Sequence, residues 1–102
     1  MTETNVSIVI PIHNMVNRIS ECYNAIYRQI YFGDQIILIN RGSVDGLARN
    51  MFPKDKRIVW IEDNQPEPIV LNKAIREHAT NDCILILDPI AVASTNMVKW
   101  LK

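Results

Sequence analysis

Four short apolar stretches recur along the chain, and the segments between them repeat their apolar residues at every third or fourth position. The stretches are Val6-Ser7-Ile8-Val9-Ile10, closed by Pro11; Gln35 to Ile39, entered through Gly33-Asp34; Ile58-Val59-Trp60-Ile61; and Cys83-Ile84-Leu85-Ile86-Leu87. They are rich in β-branched residues and nearly continuous rather than alternating. That pattern belongs to strands covered on both faces, as in a parallel sheet between helices. After Asn14, a predicted N-cap, apolar residues fall at Val16, Ile19, Cys22 or Tyr23, Ile26 and Ile30, with Asn17, Arg18, Glu21, Asn24 and Arg28 left for solvent. A short helix is predicted from about Val44 to Met51, stopped near Pro53. Pro68 suits the first position of a helix running to about Ala79, which buries Val70 or Leu71, Ala74, Ile75 and His78. Ser94 is predicted to cap a last helix with Met97, Val98 and Leu101 apolar. The order β-α-β-α-β-α-β-α implies a three-layer α/β/α sandwich with right-handed crossovers.

The chain of 102 residues is read as one domain over 1–102, large enough for a core but not for two. Lysine plus arginine balance aspartate plus glutamate at 11 each, so no overall field draws the chain to nucleic acid or to an anionic membrane. Cys22 and Cys83 show no metal-ligand spacing and read as reduced core thiols of a cytoplasmic protein. Met1 to Asn5 is polar and the following apolar run is broken by Pro11 and His13, so no leader is expected. The apolar runs also fall short of the ~20 residues of a membrane-spanning helix.

In a parallel sheet the carboxyl ends of the strands form one rim. Pro11-Ile12-His13-Asn14, Asn40-Arg41-Gly42-Ser43, Asp63-Asn64 and Asp88-Pro89 would meet there. Convergence of polar groups from four elements describes a ligand cleft, although every strand must also end in some polar loop. On these residues alone the two readings stand level. Gly42 and Gly46 make no G-x-G-x-x-G, and no P-loop lysine follows. Ser43 has no histidine and aspartate beside it to make it a nucleophile. A receiver domain would need acids where Ile12-His13-Asn14 stands. Arg41 is either a phosphate ligand or a solvated charge. His78, Trp60 and Trp100 read as packing residues.

Four motifs, in order, resemble family 2 glycosyltransferases of the GT-A fold. A hydrophobic strand leads into Pro11-Ile12-His13-Asn14, where the family has Pro-x-x-Asn. Asn40-Arg41-Gly42-Ser43-Val44-Asp45-Gly46 stands for Asp-Asp-Gly-Ser-x-Asp-Gly. Leu71-Asn72 stands for Arg-Asn, and Leu87-Asp88-Pro89-Ile90 for a hydrophobic residue followed by Asp-x-Asp. The resemblance spans Val6 to Ser94. It implies a Rossmann-like, mainly parallel four-stranded sheet of order 3-2-1-4, and a nucleotide-sugar site at Pro11, His13, Asn14, Asn40, Gly42, Ser43, Asp45, Asn72 and Asp88. It further implies UDP or a UDP-sugar as ligand and Mg²⁺ or Mn²⁺ as cofactor.

The departures matter as much. Asn40-Arg41 replaces the acids that read the base in the family, and Leu71 replaces a basic residue. Ile90 replaces the carboxylate that holds the metal, and isoleucine offers no oxygen to a hard cation. The family's acceptor half, which carries the general base, follows the Asp-x-Asp motif, and the sequence in hand ends at Lys102. Catalytic incompetence of the domain alone is therefore expected, with weak nucleotide binding retained. The alternative is a non-catalytic interaction or regulatory module on the same scaffold. Cys83–Leu87 as a bare edge strand would dock a second copy or a partner, unless the last helix with Trp100 and Leu101 covers it.

Overall fold

The computed structural model of the chain describes residues 5–87. Strands β1 (Val6–Ile12), β2 (Gln35–Asn40), β3 (Ile58–Glu62) and β4 (Cys83–Ile86) make one sheet of order β3-β2-β1-β4. Every pairing is parallel, with Ile10 opposite Leu38, Leu38 opposite Trp60 and Ile8 opposite Leu85. The expected strand order and three-layer arrangement are both present.

All residues of the central strands β1 and β2 are buried. Their side chains alternate between two cores. Val6, Ile8, Ile10, Ile12, Ile36 and Leu38 pack with Ile19, Cys22, Tyr23 and Ile26 of helix α1 (Val16–Tyr27). Val9, Ile37 and Ile39 pack on the other face with Val70 and Ala74 of helix α2 (Glu67–His78). Each fully buried aliphatic side chain is worth roughly 1.5–3 kcal/mol, which is why two unbroken apolar strands settle in the centre of the sheet. β3 and β4 at the sides are only partly buried. Phe52 lies edge-on to Tyr23 at 4.9 Å and 5.7 Å from Trp60, closing the α1 face.

Pro11 has a topological effect. The Val9 carbonyl accepts from the Leu87 amide at 2.9 Å, whereas the Ile12 carbonyl accepts from Arg41 at 2.8 Å. Backbone groups of odd-numbered β1 residues therefore point toward β4 and those of even-numbered residues toward β2. The donor that proline lacks is thus on the β4 side. Among the described residues the β1–β4 ladder runs to Val9–Ile86 and the β1–β2 ladder to Ile12–Asn40.

Three expectations are corrected. Val44–Met51 is not a helix: it is loop with one 3₁₀ turn at Arg49–Met51, because Gly46 takes φ +92° while Leu47 and Phe52 turn into the core. Asn14 does not cap α1, since it sits at φ +52° and Met15 occupies the cap position without a side-chain bond. His78 is exposed rather than inward, because the buried stripe of α2 consists of Val70 and Ala74 and the helix ends at His78. Cys22 is buried and Cys83 partly so, and neither is in a disulfide. No helix among the described residues is long and apolar enough to cross a membrane. The helix expected after Ser94, with Met97, Val98, Trp100 and Leu101, lies outside the described residues.

Candidate functional site

The chain leaves β1 toward β2 on one side and returns to pair β4 on the other, so the switch point lies outside the carboxyl ends of β1 and β4. That is where open α/β sheets hold ligands. The loop after β1 and the turn after β2 meet there and are hydrogen-bonded in both directions. Ser43 Oγ accepts from the Asn14 amide at 3.1 Å, and Asn14 Oδ1 accepts from the Val44 amide at 2.8 Å. One turn further, Asp45 Oδ2 accepts from the Val16 amide at 2.8 Å. A carboxylate 29 residues downstream thus caps α1, where the positive end of the helix dipole favours it.

Asn40 is engaged through both side-chain polar atoms. Its Oδ1 accepts from the Ser43 amide at 3.1 Å, and its Nδ2 donates to Glu62 Oε1 at 3.4 Å. His13 Nδ1 lies 2.7 Å from the Arg41 carbonyl oxygen, which can only accept, so that nitrogen carries the hydrogen. Nε2 is then the acceptor for Asn14 Nδ2 at 3.3 Å. Gly42 takes φ +65°, which favours glycine, and a Cβ there would stand 2.5 Å from Asn64 Oδ1 and push that side chain aside.

Arg41 is neither a free solvated charge nor isolated. Its Nη2 donates to the Gln65 carbonyl at 3.4 Å, and Nη1 lies 3.9 Å from Glu67 Oε1, while Nε is buried without a partner. The guanidinium spans from the end of β2 to the start of α2. Glu62, Gln65 and Glu67 thereby join the rim as residues that sequence reasoning missed, because each bond crosses between strands or loops with no local pattern to mark it.

Of the sequence-predicted site residues, His13, Asn14, Asn40, Gly42, Ser43 and Asp45 therefore come together. Pro11 is buried beneath them and acts through the ladder. Asn72 is exposed on α2 and makes no hydrogen bond to this network. Asp88, with Pro89 and Ile90, lies outside the described residues. Among the described residues no three histidine, cysteine or acidic side chains gather to hold a metal. Of the nearest carboxylates, Glu62 is engaged by Asn40 and Asp63 by the Gln65 amide and, at 3.9 Å, by Lys73, while Asp45 accepts from Val16 through Oδ2 and keeps a buried Oδ1 without a partner. Among the described residues, one unpartnered carboxylate oxygen is not by itself the oxygen donor set that Mg²⁺ or Mn²⁺ takes.

Fold and rim together define an open parallel α/β domain with a hydrogen-bonded polar rim at the carboxyl ends of its strands. The chain belongs to glycosyl transferase family 2, whose model matches residues 7–89. Among curated proteins it is 26% identical over 65 residues to the glycosyltransferase GlyA of Streptococcus pneumoniae, covering 61% of this chain and 9% of that one. It is 27% identical over 88 residues to an uncharacterized glycosyltransferase of Rickettsia felis, covering 84% and 15%. In fold it resembles residues 1–349 of TarS from S. aureus, with TM-score 0.79, 14% identity and coverage of 96% of this chain and 31% of that one. A mannosyltransferase from Pyrobaculum calidifontis, solved in complex with GDP-Man and Mn²⁺, matches with TM-score 0.80, 24% identity and coverage of 98% and 33%. The chain thus spans about a third of these solved chains and less than a sixth of the curated relatives.

Proposed function

We propose that the chain is a single GT-A-type domain that binds a nucleoside diphosphate or its sugar, UDP first, at the carboxyl rim, and that it does not carry out glycosyl transfer alone. The observation that carries the reading is the interlock of Asn14, Asn40, Ser43 and Asp45. It ties the loop after β1 to the turn after β2 at the carboxyl ends of the strands. A preorganised rim costs little ordering entropy when a ligand arrives. The complex of the Pyrobaculum mannosyltransferase with GDP-Man supports a nucleotide-sugar as the class of ligand. Asn40 would read a base only by exchanging its bond to the Ser43 amide, so selectivity among bases is weak. Ile90 at the family's metal position removes the cation that would neutralise a departing diphosphate, and this is the ground for catalytic incompetence.

A second reading, a non-catalytic interaction module, draws on two exposed apolar residues near the rim. Val44 is 88% exposed and Ile86, at the end of β4, is 50% exposed. Among the described residues β4 pairs only with β1, and its outer edge at Cys83–Leu87 would take a second copy or a partner.

Titration of the ¹⁵N-labelled protein with UDP and UDP-sugars, with and without Mn²⁺, decides between them. Saturable shifts at Asn14, Asn40 and Gly42 are expected for nucleotide binding, and Ile90→Asp should add Mn²⁺ dependence. Silence at saturating nucleotide in both proteins, with self-association in sedimentation equilibrium, overturns the first reading in favour of the second.

A further inference from the structure

The opposite, amino-terminal end of the sheet carries a recess of about 550 Å³, lined by Phe32, Gln35, Lys54, Lys56, Arg57 and Thr80 among others. Its volume lies within the ordinary range for small-molecule sites. Its floor is fixed. Gln35 Oε1 accepts from Ser7 Oγ at 2.8 Å and from the Thr80 amide at 3.1 Å, while Gln35 Nε2 donates to the His78 carbonyl at 2.8 Å.

The walls are unlike the floor. Phe32 stands 96% exposed at the turn between α1 and β2, an aromatic face with no covering residue among those described. Lys54 and Lys56 are exposed and form no ion pair among the described residues. The acids of the recess offset them only in part: Lys54, Lys56 and Arg57 stand against Asp34 and Asp55, which leaves one positive charge in excess. Asp55 is held by Arg57 at 2.7 Å. Asp34 is buried, with its carboxylate accepting from the Val6 amide at 2.8 Å and the Tyr31 amide at 2.7 Å. A chain of zero net charge therefore presents, at this one end, an uncovered aromatic ring beside a lining with one positive charge in excess.

We propose that this recess is a second binding site, for a small organic anion whose apolar, preferably aromatic, body lies on Phe32 and whose phosphate or carboxylate is taken by Lys54 and Lys56. Ring stacking and apolar burial supply one part of the recognition, and charge the other. The site is at the far end of the strands from the nucleotide rim and stands independently of it.

Phenyl phosphate is the minimal probe, with inorganic phosphate and phenol as its halves. In NMR titrations of the whole chain, phenyl phosphate is expected to give saturable shifts at Phe32, Gly33, Lys54, Lys56 and Thr80, fading as salt rises. Either half alone should bind about tenfold more weakly, having lost the charge or the apolar contact. Phe32→Ser and the double variant Lys54→Glu/Lys56→Glu should each weaken binding by about tenfold or more. All three positions are exposed, and unchanged shifts in β1 and β2 verify that the variants fold. Absent or scattered shifts overturn the proposal, as does equal binding of phosphate alone. Phe32-dependent sedimentation with phosphatidylglycerol vesicles, while phenyl phosphate leaves the recess unperturbed, also overturns it and assigns the patch to a membrane surface.

Discussion

The two ends of the sheet are both tied by polar side chains, but in different surroundings. At the amino end, Ser7, Asp34 and Gln35 are buried and link β1, β2 and the residues after α2. Asn81 Nδ2 adds bonds to Ser7 Oγ and the Gly33 carbonyl. At the carboxyl end, Asn14, Ser43 and His13 make similar bonds on exposed loops. A hydrogen bond broken in the interior leaves its partners desolvated, whereas one broken at the surface is replaced by water. The amino end therefore holds the fold together, and the carboxyl end holds the shape of a site.

That contrast is broken most severely by Gln35→Ala. It removes the acceptor of the Ser7 hydroxyl hydrogen and of the Thr80 amide and the donor to the His78 carbonyl, and should cost roughly 1–3 kcal/mol of stability in urea unfolding. Nucleotide shifts at the rim should survive wherever the variant is folded. Asp45→Ala does the reverse: losing the cap of α1 should cost about 1–2 kcal/mol, and nucleotide binding should fall by more than stability alone accounts for. Equal effects on binding from the two variants would erase the division between the ends.

The smallest effect sharpens the comparison through pH. Hydrogen bonds from the Arg57 guanidinium, then from its amide, hold the Asp55 carboxyl well below the usual carboxylate range. The folded value lies below the unfolded one, so the stabilisation is complete at neutral pH and is lost as pH falls below about 4. Asp55→Asn should lower stability by about 1 kcal/mol or less at neutral pH and flatten the acid limb of a thermal-unfolding profile. An unchanged acid limb would remove Asp55 from the amino-end scaffold.

Most of this architecture was legible because the strands are apolar runs between periodic helices, and their burial follows directly. β1, β2 and α1 appear where the pattern places them. The Val44–Met51 segment misled because its spacing is helical while Gly46, at φ +92°, leaves the helical region and Asp45 is drawn away to α1. Asn14 misled in a related way: it is a cap-type residue in the right place, yet the cap is supplied from the far side of β2. His78 continues the spacing of Val70 and Ala74 but lies in the last turn, where the helix ends. At the site, the motif residues were readable one by one. Their mutual engagement was not, since Asn40 with Glu62 and Arg41 with Gln65 are contacts across the sheet that no local spacing encodes.

The remote cap also bears on the order of folding. A helix capped by its own neighbours is complete as soon as its turn forms, but α1 waits for a carboxylate 29 residues away. Closing that loop carries an entropic cost that only the pairing of β1 with β2 offsets. The first turn of α1 should therefore mature late, with the rim, and a φ-value near zero for Asp45→Ala is the expected outcome.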